Sequence, residues 1–365
     1  MKSFLQTLKT GFATFSMFFG AGNILFPLSL GQATQDMGPI AIIGLLLSAV
    51  AIPISGLVAM TWYDGDYQRF FARLGNIPGM LTALVIMLLL GPLGSTPRCV
   101  ALSFSTLKVS LPALSSFWFS LAACVIIYLC TVKRRRLMDM LGFILTPWLL
   151  FTLAIIIFAG IWGAPPTGVS EMSAGAAFSL GLTEGYYTMD LLAAFFFSSV
   201  IVRGVRRDLE TASPELVRRR TLQAGFIGAG LLALVYVSFC FVAAHHTSHI
   251  EGLSDDRLLG ALTLHLLGPY AGIIASSTVS LACLTTAIAL TSVFADFLSR
   301  YVLQNKISYH TALLASLIVT FFVANVELGA IMAFLKPILE VLYPILIVLT
   351  AYSLVKRPVN ITVVQ

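Results

Sequence analysis

Charged residues are scarce in this 365-residue chain, at 10% of the sequence, whereas 58% of the residues are hydrophobic and the mean hydropathy is +0.94. Soluble domains carry roughly a quarter charged residues, so the composition excludes a soluble protein. Apolar stretches recur at lengths near the ~20 residues that a helix needs to cross a bilayer, well above the ~10 residues of a barrel strand. The sequence therefore predicts an all-α integral membrane protein.

Cysteine is also scarce, and no two cysteines form a CxxC pair. The five lie within or at the ends of apolar spans and are interpreted as small core residues: Cys99, Cys124, Cys130, Cys240 and Cys283. The N-terminus lacks the short apolar segment and small-residue cleavage site of a removable signal. The chain also lacks a visible nucleophile–base pairing or metal-ligand spacing, so we do not expect an enzyme.

The hydrophobic pattern predicts ten transmembrane helices. Their ranges are 9–31, 38–61, 78–106, 113–131, 140–162, 174–202, 222–244, 269–299, 309–325 and 329–353. With the N-terminus inside, 18 of the 22 basic residues fall on inner segments, including Lys133-Arg134-Arg135-Arg136. The positive-inside rule then predicts a multi-pass protein with both termini cytoplasmic. The net charge of +6 is explained by orientation and lipid contact, and we expect no nucleic-acid partner.

Two spans contain helix-breaking sequences at membrane depth. Gly20-Ala21-Gly22-Asn23 interrupts the first, and Gly185-Tyr186-Tyr187-Thr188 interrupts the sixth. Such interruptions survive only where they are buried in protein or line a polar cavity. Because five spans precede the second break, its repeat would run in the opposite orientation. We predict a five-plus-five inverted repeat, residues 1–162 and 163–365, with broken helices 1 and 6 crossing antiparallel near the midplane.

The two breaks have complementary electrostatics. The half-helix that begins near Gly22 offers free amides and a positive dipole end to a carboxylate, although Gly20 and Gly22 would also suit a close helix-packing face. The carbonyls at the second break suit a cation, so an amino acid is the predicted substrate, with Phe195-Phe196-Phe197 as candidates for an apolar pocket. The candidate substrate-binding residues are Gly20, Ala21, Gly22, Asn23, Gly185, Tyr186, Tyr187, Thr188 and Asp190.

Several charged residues fall at predicted membrane depth, where a charge costs ~2.5–3.5 kcal/mol on insertion scales. Asp190 is either a functional carboxylate or the N-cap of the resumed helix. Arg98 would pair with Asp190 or with backbone carbonyls. Lys336 and Glu340, four residues apart, would form an ion pair on one helix face.

The eighth span places Thr278, Ala282, Thr285 and Thr286 on one helical face. Their hydroxyls would either bind a monovalent cation or hydrogen bond to carbonyls of their own helix, and spacing does not separate these alternatives. The outer loop holds His245, His246 and His249. Because the adjacent pair cannot share a helix face, we expect no metal site there.

Several segments together resemble the branched-chain amino acid carriers (the LIVCS family, BrnQ type). They are Phe19-Gly20-Ala21-Gly22-Asn23-Ile24 with Phe26-Pro27, Gly91-Pro92 with Thr96-Pro97-Arg98, Gly185-Tyr186 with Thr188-Met189-Asp190, and Ala282-Cys283-Leu284 with Thr286-Ala287. The resemblance implies cation-driven uptake of leucine, isoleucine and valine on the fold of the sodium-coupled amino acid carriers. Its members generally have twelve spans, whereas this chain stops at Gln365, soon after the tenth. The repeat core is complete, so transport is expected to survive.

The resemblance also implies where a coupling ion would bind. In the wider fold, carbonyls of the first span and an Ala-x-x-Thr-Thr/Ser pattern in the eighth form a sodium site. The corresponding positions here are Ser16, Phe19, Ala282, Thr285 and Thr286, with Asn23 as a candidate ligand of a second sodium. The alternatives are proton coupling through Asp190 or Glu184, and a non-transporting amino acid sensor with the same pocket.

Overall fold

A computed structural model of the chain describes residues 2–132, 145–209, 213–268 and 271–356, and within these ranges all regular secondary structure is helical. The first half contains α1 Lys2–Phe18, α2 Ala21–Thr34, α3 Gly38–Leu46, α4 Ile52–Thr61, α5 Tyr67–Phe71, α6 Asn76–Leu90, α7 Ser95–Ser110, α8 Ser116–Val132 and α9 Thr146–Trp162. The second contains α10 Ala174–Tyr187, α11 Asp190–Leu209, α12 Pro214–His245, α13 Thr247–Ile250, α14 Asp255–Leu267, α15 Ala271–Phe297, α16 Tyr309–Ala324 and α17 Leu328–Val355. The predicted all-helical class is confirmed.

The first predicted break is present. Helix α1 ends at Phe18 and α2 begins at Ala21, so Phe19 and Gly20 form the interruption. Gly22 and Asn23 belong to the first turn of α2 rather than to the gap. The side-chain oxygen of Asn23 accepts a hydrogen bond of 3.0 Å from the N–H of Gly20, which closes the helix start.

The second break is also present but lies further along the chain than the glycine indicated. Helix α10 continues through Gly185 to Tyr187, and α11 begins at Asp190. The chain turns at Thr188 and Met189, and Met189 has a φ of +67°, a conformation that is uncommon for residues other than glycine. Gly185 serves a different purpose, because a Cβ there would lie 1.8 Å from the hydroxyl of Ser48 in the π-helical segment between α3 and α4.

Six helical stretches within the described residues are long and apolar enough to cross a membrane. They are Ala21–Thr61, Asn76–Lys108, Ala174–Leu209, Pro214–His245, Ser277–Val302 and Leu328–Val355. Helices α8, α9 and α16 are shorter apolar helices. The chain is therefore a multi-pass membrane protein, while the count of ten spans stays a prediction. The basic cluster Lys133 to Arg136 lies outside the described residues.

The broken helices occupy the centre of the bundle. In the stretch Ala174–Leu209, which contains the second break, 83% of the most apolar window is buried, compared with 33% in Leu328–Val355 at the rim. Helix α2 packs against α12, α14 and α10, while α7 packs along α15. Protein therefore surrounds both interruptions, as the need to satisfy exposed backbone groups requires.

Helices α3 and α10 approach through glycine. A Cβ on Gly181 would lie 1.9 Å from the carbonyl oxygen of Ala41, and one on Gly44 would lie 2.3 Å from that of Phe178. These distances are far below van der Waals contact, so the helix axes are closer than any other residue would allow.

We predict that Gly181→Ala lowers the midpoint of thermal unfolding in detergent, because separating α3 from α10 should cost about 1–3 kcal/mol. Gly175→Ala on the same helix is the matched control, since a Cβ there meets nothing within 4 Å. Differential scanning fluorimetry of both variants measures the difference. Equal midpoints would contradict the close contact between the two helices.

Candidate functional site

Three polar side chains meet between the two breaks. The side-chain amide of Asn23 on α2 donates to both carboxylate oxygens of Asp190, at 3.0 and 2.9 Å. The hydroxyl of Tyr236 on α12 donates to Asp190 at 2.7 Å and also contacts the Asn23 amide. Asp190 is only 2% exposed, so neutral donors rather than water surround its carboxylate. This network links the starts of α2 and α11 to the middle of α12.

Arg98 closes the other side of the second break. Its guanidinium donates to the carbonyl of Tyr187 at 2.8 Å and reaches that of Thr188 at 3.5 Å. It also lies over the ring of Phe26, 5.7 Å from the centroid. Helix ends leave carbonyls without intrahelical partners and carry partial negative charge, so the cation both satisfies and neutralises the end of α10. Of the alternatives for Arg98, the structure shows the backbone carbonyls.

Thr188 and Tyr343 form hydrogen bonds with further backbone groups at the second break. The Thr188 hydroxyl donates to the carbonyl of Gly185 at 2.8 Å and accepts from the N–H of Asp190 at 3.4 Å. The Tyr343 hydroxyl on α17 accepts from the N–H of Leu191 at 3.2 Å. Asp190 thus directs its carboxylate to Asn23 and Tyr236, while other side chains satisfy the first amides of α11.

A small cavity lies between these groups. Its polar wall is formed by Gly20, Asn23, Ser95, Arg98, Thr188, Asp190 and Thr286, and its apolar wall includes Met17, Phe18, Phe197 and Leu290. About 10 Å³ is open to the centre of a water molecule, which is room for about one water. A larger molecule would therefore enter only if the walls moved apart.

A cluster of oxygen atoms lies beside the cavity, where α1 ends against α15. The hydroxyls of Thr285 and Thr286 both donate to the carbonyl of Ser16, at 3.2 Å each. Thr285 also donates to the carbonyl of Ala282 at 2.8 Å. Three hydrogen bonds thus join four oxygens from two helices. Thr285 bonds back to its own helix, which was one of the two alternatives, and it also bonds to a carbonyl of α1, while cation binding stays a prediction.

The glycines of the first break permit this assembly. A Cβ on Gly20 would lie 2.9 Å from the methyl group of Thr286, and one on Gly22 would lie 2.8 Å from Nη2 of Arg98. The packing alternative for these glycines is therefore confirmed, since they let α15 and α7 approach the start of α2, while carboxylate binding stays a prediction. Ala21 is fully buried between them.

The predicted site residues separate into two groups. Gly20, Asn23, Thr188 and Asp190 line the cavity, whereas Gly185 packs against Ser48. The ring of Tyr186 stacks on that of Tyr343, with centroids 4.7 Å apart, while Tyr187 meets Phe26 at 5.8 Å.

The predicted aromatic pocket divides in the same way. Of the three consecutive phenylalanines, Phe197 alone lines the cavity. Phe195 and Phe196 instead pack on α5, where Phe195 meets Phe70 and Phe196 meets Phe71 with centroids 4.9 and 6.1 Å apart. Two members of this run of three phenylalanines therefore serve the core.

Lys336 and Glu340 both contact Tyr187. The Glu340 carboxylate accepts from the Tyr187 hydroxyl, and the Lys336 ammonium lies 4.9 Å from the centre of its ring. These two charged residues of α17 thus both contact Tyr187, the last residue of α10. Phe19 lies in the first break and stacks on Phe15 at 5.0 Å.

Sequence reasoning missed Tyr236 and Tyr343. Tyr236 is fully buried within an apolar run of α12, and a hydroxyl at membrane depth was the one available signal that it needs a polar partner. Its partner, Asp190, is 46 residues away in the chain. No local sequence pattern indicates that two residues so far apart in the chain are in contact.

The fold is shared with solved transporters. The structure of Mhp1, a nucleobase-cation-symport-1 family transporter, matches with a TM-score of 0.61 at 16% identity, covering 92% of this chain and 76% of that one. MhsT, solved in complex with L-phenylalanine, matches with a TM-score of 0.63 at 15% identity, covering 94% and 88%. Fold and site together define a multi-pass membrane protein with broken helices around a central polar cavity.

Sequence comparison then identifies the family. Residues 3–364 match the family described as branched-chain amino acid transport protein, and the chain belongs to that family. It is 34% identical to the branched-chain amino acid transport system 3 carrier protein of Pseudomonas aeruginosa over 95% of this chain and 80% of the relative. It is 32% identical to the branched-chain amino acid permease BrnQ of Escherichia coli K12, covering 95% and 79%. The predicted resemblance, and the prediction of a transport protein rather than an enzyme, are confirmed.

We predict that Tyr236→Phe weakens both stability and transport, because a buried carboxylate that loses a hydrogen-bond donor costs about 1–3 kcal/mol. The expected results are a lower thermal midpoint and a several-fold slower uptake of substrate. Tyr128→Phe is the matched control, since it removes a hydroxyl from a half-buried tyrosine of α8 outside this network. If the two variants have the same thermal midpoint and the same uptake rate, the hydrogen bond from Tyr236 to Asp190 contributes to neither stability nor transport.

Proposed function

We propose that the protein imports leucine, isoleucine and valine together with sodium across a bacterial inner membrane by alternating access. The observation that carries this proposal is that a buried carboxylate, Asp190, and a buried guanidinium, Arg98, line one cavity between two helix breaks. The names of the family and of its relatives support the substrate class. Under this proposal residues 1–162 and 163–365 form the two inverted repeats, and both termini are cytoplasmic.

The substrate carboxylate would bind at the start of α2. The amides of the first turn point out of a helix N-terminus, where the dipole favours an anion. Arg98 adds a full positive charge beside Gly22. Its Nε is buried and has no hydrogen-bond partner among the described residues, so it retains a donor for a carboxylate oxygen.

The substrate ammonium would bind at the opposite wall. Asp190 offers a carboxylate, and the carbonyl of Thr188 at the end of the break offers a neutral acceptor. This assignment changes the role expected for the second break, because Arg98 already occupies the carbonyl of Tyr187. The branched side chain would then lie among Phe18, Phe197 and Leu290, which form the apolar wall.

The coupling ion would bind at the oxygen cluster. Sodium prefers several oxygen ligands, and the carbonyls of Ser16 and Ala282 with the hydroxyls of Thr285 and Thr286 provide them without a counter-charge. Rotation of the two hydroxyl hydrogens would turn their lone pairs toward the ion. A cation there would join α1 to α15 next to the substrate, which is how ion and substrate binding would favour one conformation together. Phe19, the other candidate carbonyl donor of the first span, lies in the first break, three residues after Ser16. Asn23, the candidate ligand of a second sodium ion, is the weaker candidate, because its side-chain oxygen already accepts from Gly20.

Proton coupling is the second candidate. Asp190 is buried at membrane depth and receives hydrogen bonds from two neutral side chains, which is an environment suited to a group that changes protonation. Glu184 lies on α10, one turn before the break. A sensor with the same pocket would bind amino acids without concentrating them.

We expect leucine uptake into proteoliposomes to follow an inward sodium gradient when the pH is equal on both sides. Isoleucine and valine should compete with labelled leucine, whereas lysine and glutamate should not, because an apolar wall does not accommodate a charged side chain. Binding without concentrative uptake would favour the sensor. Uptake that is independent of sodium but follows a pH gradient, and that is lost in Asp190→Asn, would favour proton coupling.

We predict that Thr286→Val raises the sodium concentration for half-maximal uptake at least about tenfold, because one of four ligands is lost. Thr350→Val on α17 is the matched control, since that buried hydroxyl bonds to the carbonyl of Leu346 in its own helix. Measuring uptake against sodium concentration separates an ion effect from a general loss of activity. An unchanged sodium dependence in Thr286→Val would exclude this oxygen cluster as the coupling site.

A further inference from the structure

Three histidines converge on the hairpin that follows α12. His246 directly follows α12, His249 lies on α13 and His265 lies on α14. One ring nitrogen from each lies within 4.8 Å of the other two. The rings of His249 and His265 stack with centroids 3.6 Å apart, and that of His246 lies 5.5 Å from His265. The sequence placed His245 next to His246 and His249 and led us to expect no metal site, and the Nδ1 of His245 contacts the carbonyl of Pro165 instead of joining this cluster.

His246 has the hydrogen-bonding pattern of a metal ligand. It is 2% exposed, and its Nε2 lies 3.0 Å from the carbonyl of Gly160 on α9. A carbonyl only accepts, so Nε2 carries the hydrogen and Nδ1 keeps its lone pair. That Nδ1 is buried and has no hydrogen-bond partner among the described residues. Metal-ligating histidines usually donate their second N–H to an oxygen in this way.

The other two rings supply accessible nitrogens. Nδ1 of His249 lies 3.1 Å from the Ser248 hydroxyl, which leaves Nε2 for another partner. His265 is exposed at the surface.

We propose that His246, His249 and His265 form a binding site for a divalent transition metal of the zinc class. Three imidazole nitrogens suit zinc, with a fourth position left to water. With Zn–N bonds of about 2.0–2.1 Å, tetrahedral ligand atoms are about 3.4 Å apart. The exposed rings of His249 and His265 would therefore have to move only slightly toward His246, which its bond to Gly160 holds in place.

The site lies beside the C-terminal half of α2. The Gln32 side chain on α2 donates to the carbonyl of Ile250 at 2.7 Å, and the Ser29 hydroxyl donates to Asp255 at 3.1 Å. A metal that joins α12, α13 and α14 would hold this hairpin against α2. If the proposed transport function holds, zinc would slow uptake by opposing movement of α2, and this consequence alone depends on that function.

Isothermal titration of zinc into the purified full-length protein, with any histidine tag removed, tests the site directly. We expect one zinc per chain, and at least about a tenfold weaker affinity in His249→Gln and in His265→Gln. Both positions are exposed, so these variants should fold, which the thermal midpoint checks. His310→Gln, on α16, is the matched control because it removes an exposed histidine outside the cluster.

Absence of stoichiometric zinc binding, or equal affinity in the wild type, His249→Gln and His265→Gln, would overturn the site. Cobalt titration adds a second readout, since visible absorption typical of four-coordinate cobalt should appear in the wild type and in His310→Gln but not in His265→Gln. Zinc binding that leaves leucine uptake unchanged would retain the site and exclude its effect on α2. Failure of leucine uptake without zinc would instead count against the transport proposal, so the two failures are distinguishable.

Discussion

The structure depends on satisfying the backbone groups that two helix breaks leave unpaired inside a membrane. Helix α10 ends at Tyr187, and the guanidinium of Arg98 meets the carbonyl released there. Helix α2 begins at Ala21, and the side chain of Asn23 accepts from the preceding Gly20 amide. Without such partners each break would cost several kcal/mol in hydrocarbon. The polar residues at the centre of the bundle are therefore needed for folding before they are needed for binding.

The same residues place opposite charges at the starts of two helices. Arg98 places positive charge near Gly22 at the start of α2, while Asp190 places negative charge at the start of α11. Asn23 contacts Asp190 directly, so the two breaks share one hydrogen-bond network rather than forming separate sites. The apolar wall, with Phe18 and Phe197, completes the cavity in which the proposed function places a branched-chain amino acid. Under that proposal, structural and functional demands coincide at these positions.

Local sequence signals located the breaks to within a few residues but misassigned individual glycines. Gly20 and Gly22 do mark the first break, because the chain there needs close approach by Thr286 and Arg98. Gly185 does not mark the second, because it provides contact with Ser48 while the chain turns at Met189. A glycine signals either an unusual backbone or a close neighbour, and the sequence does not distinguish them.

The sequence by itself determined the membrane class, the helical architecture and the presence of two interruptions, because hydropathy and helix-breaking residues are local properties. It also brought forward Asn23, Asp190 and the threonines of α15 as unusual residues at membrane depth. Only the tertiary structure decided their partners. Tyr236 reaches Asp190 across 46 residues, and His265 joins His246 from another helix. Such pairs follow from how helices pack, and packing depends on the whole bundle rather than on any segment.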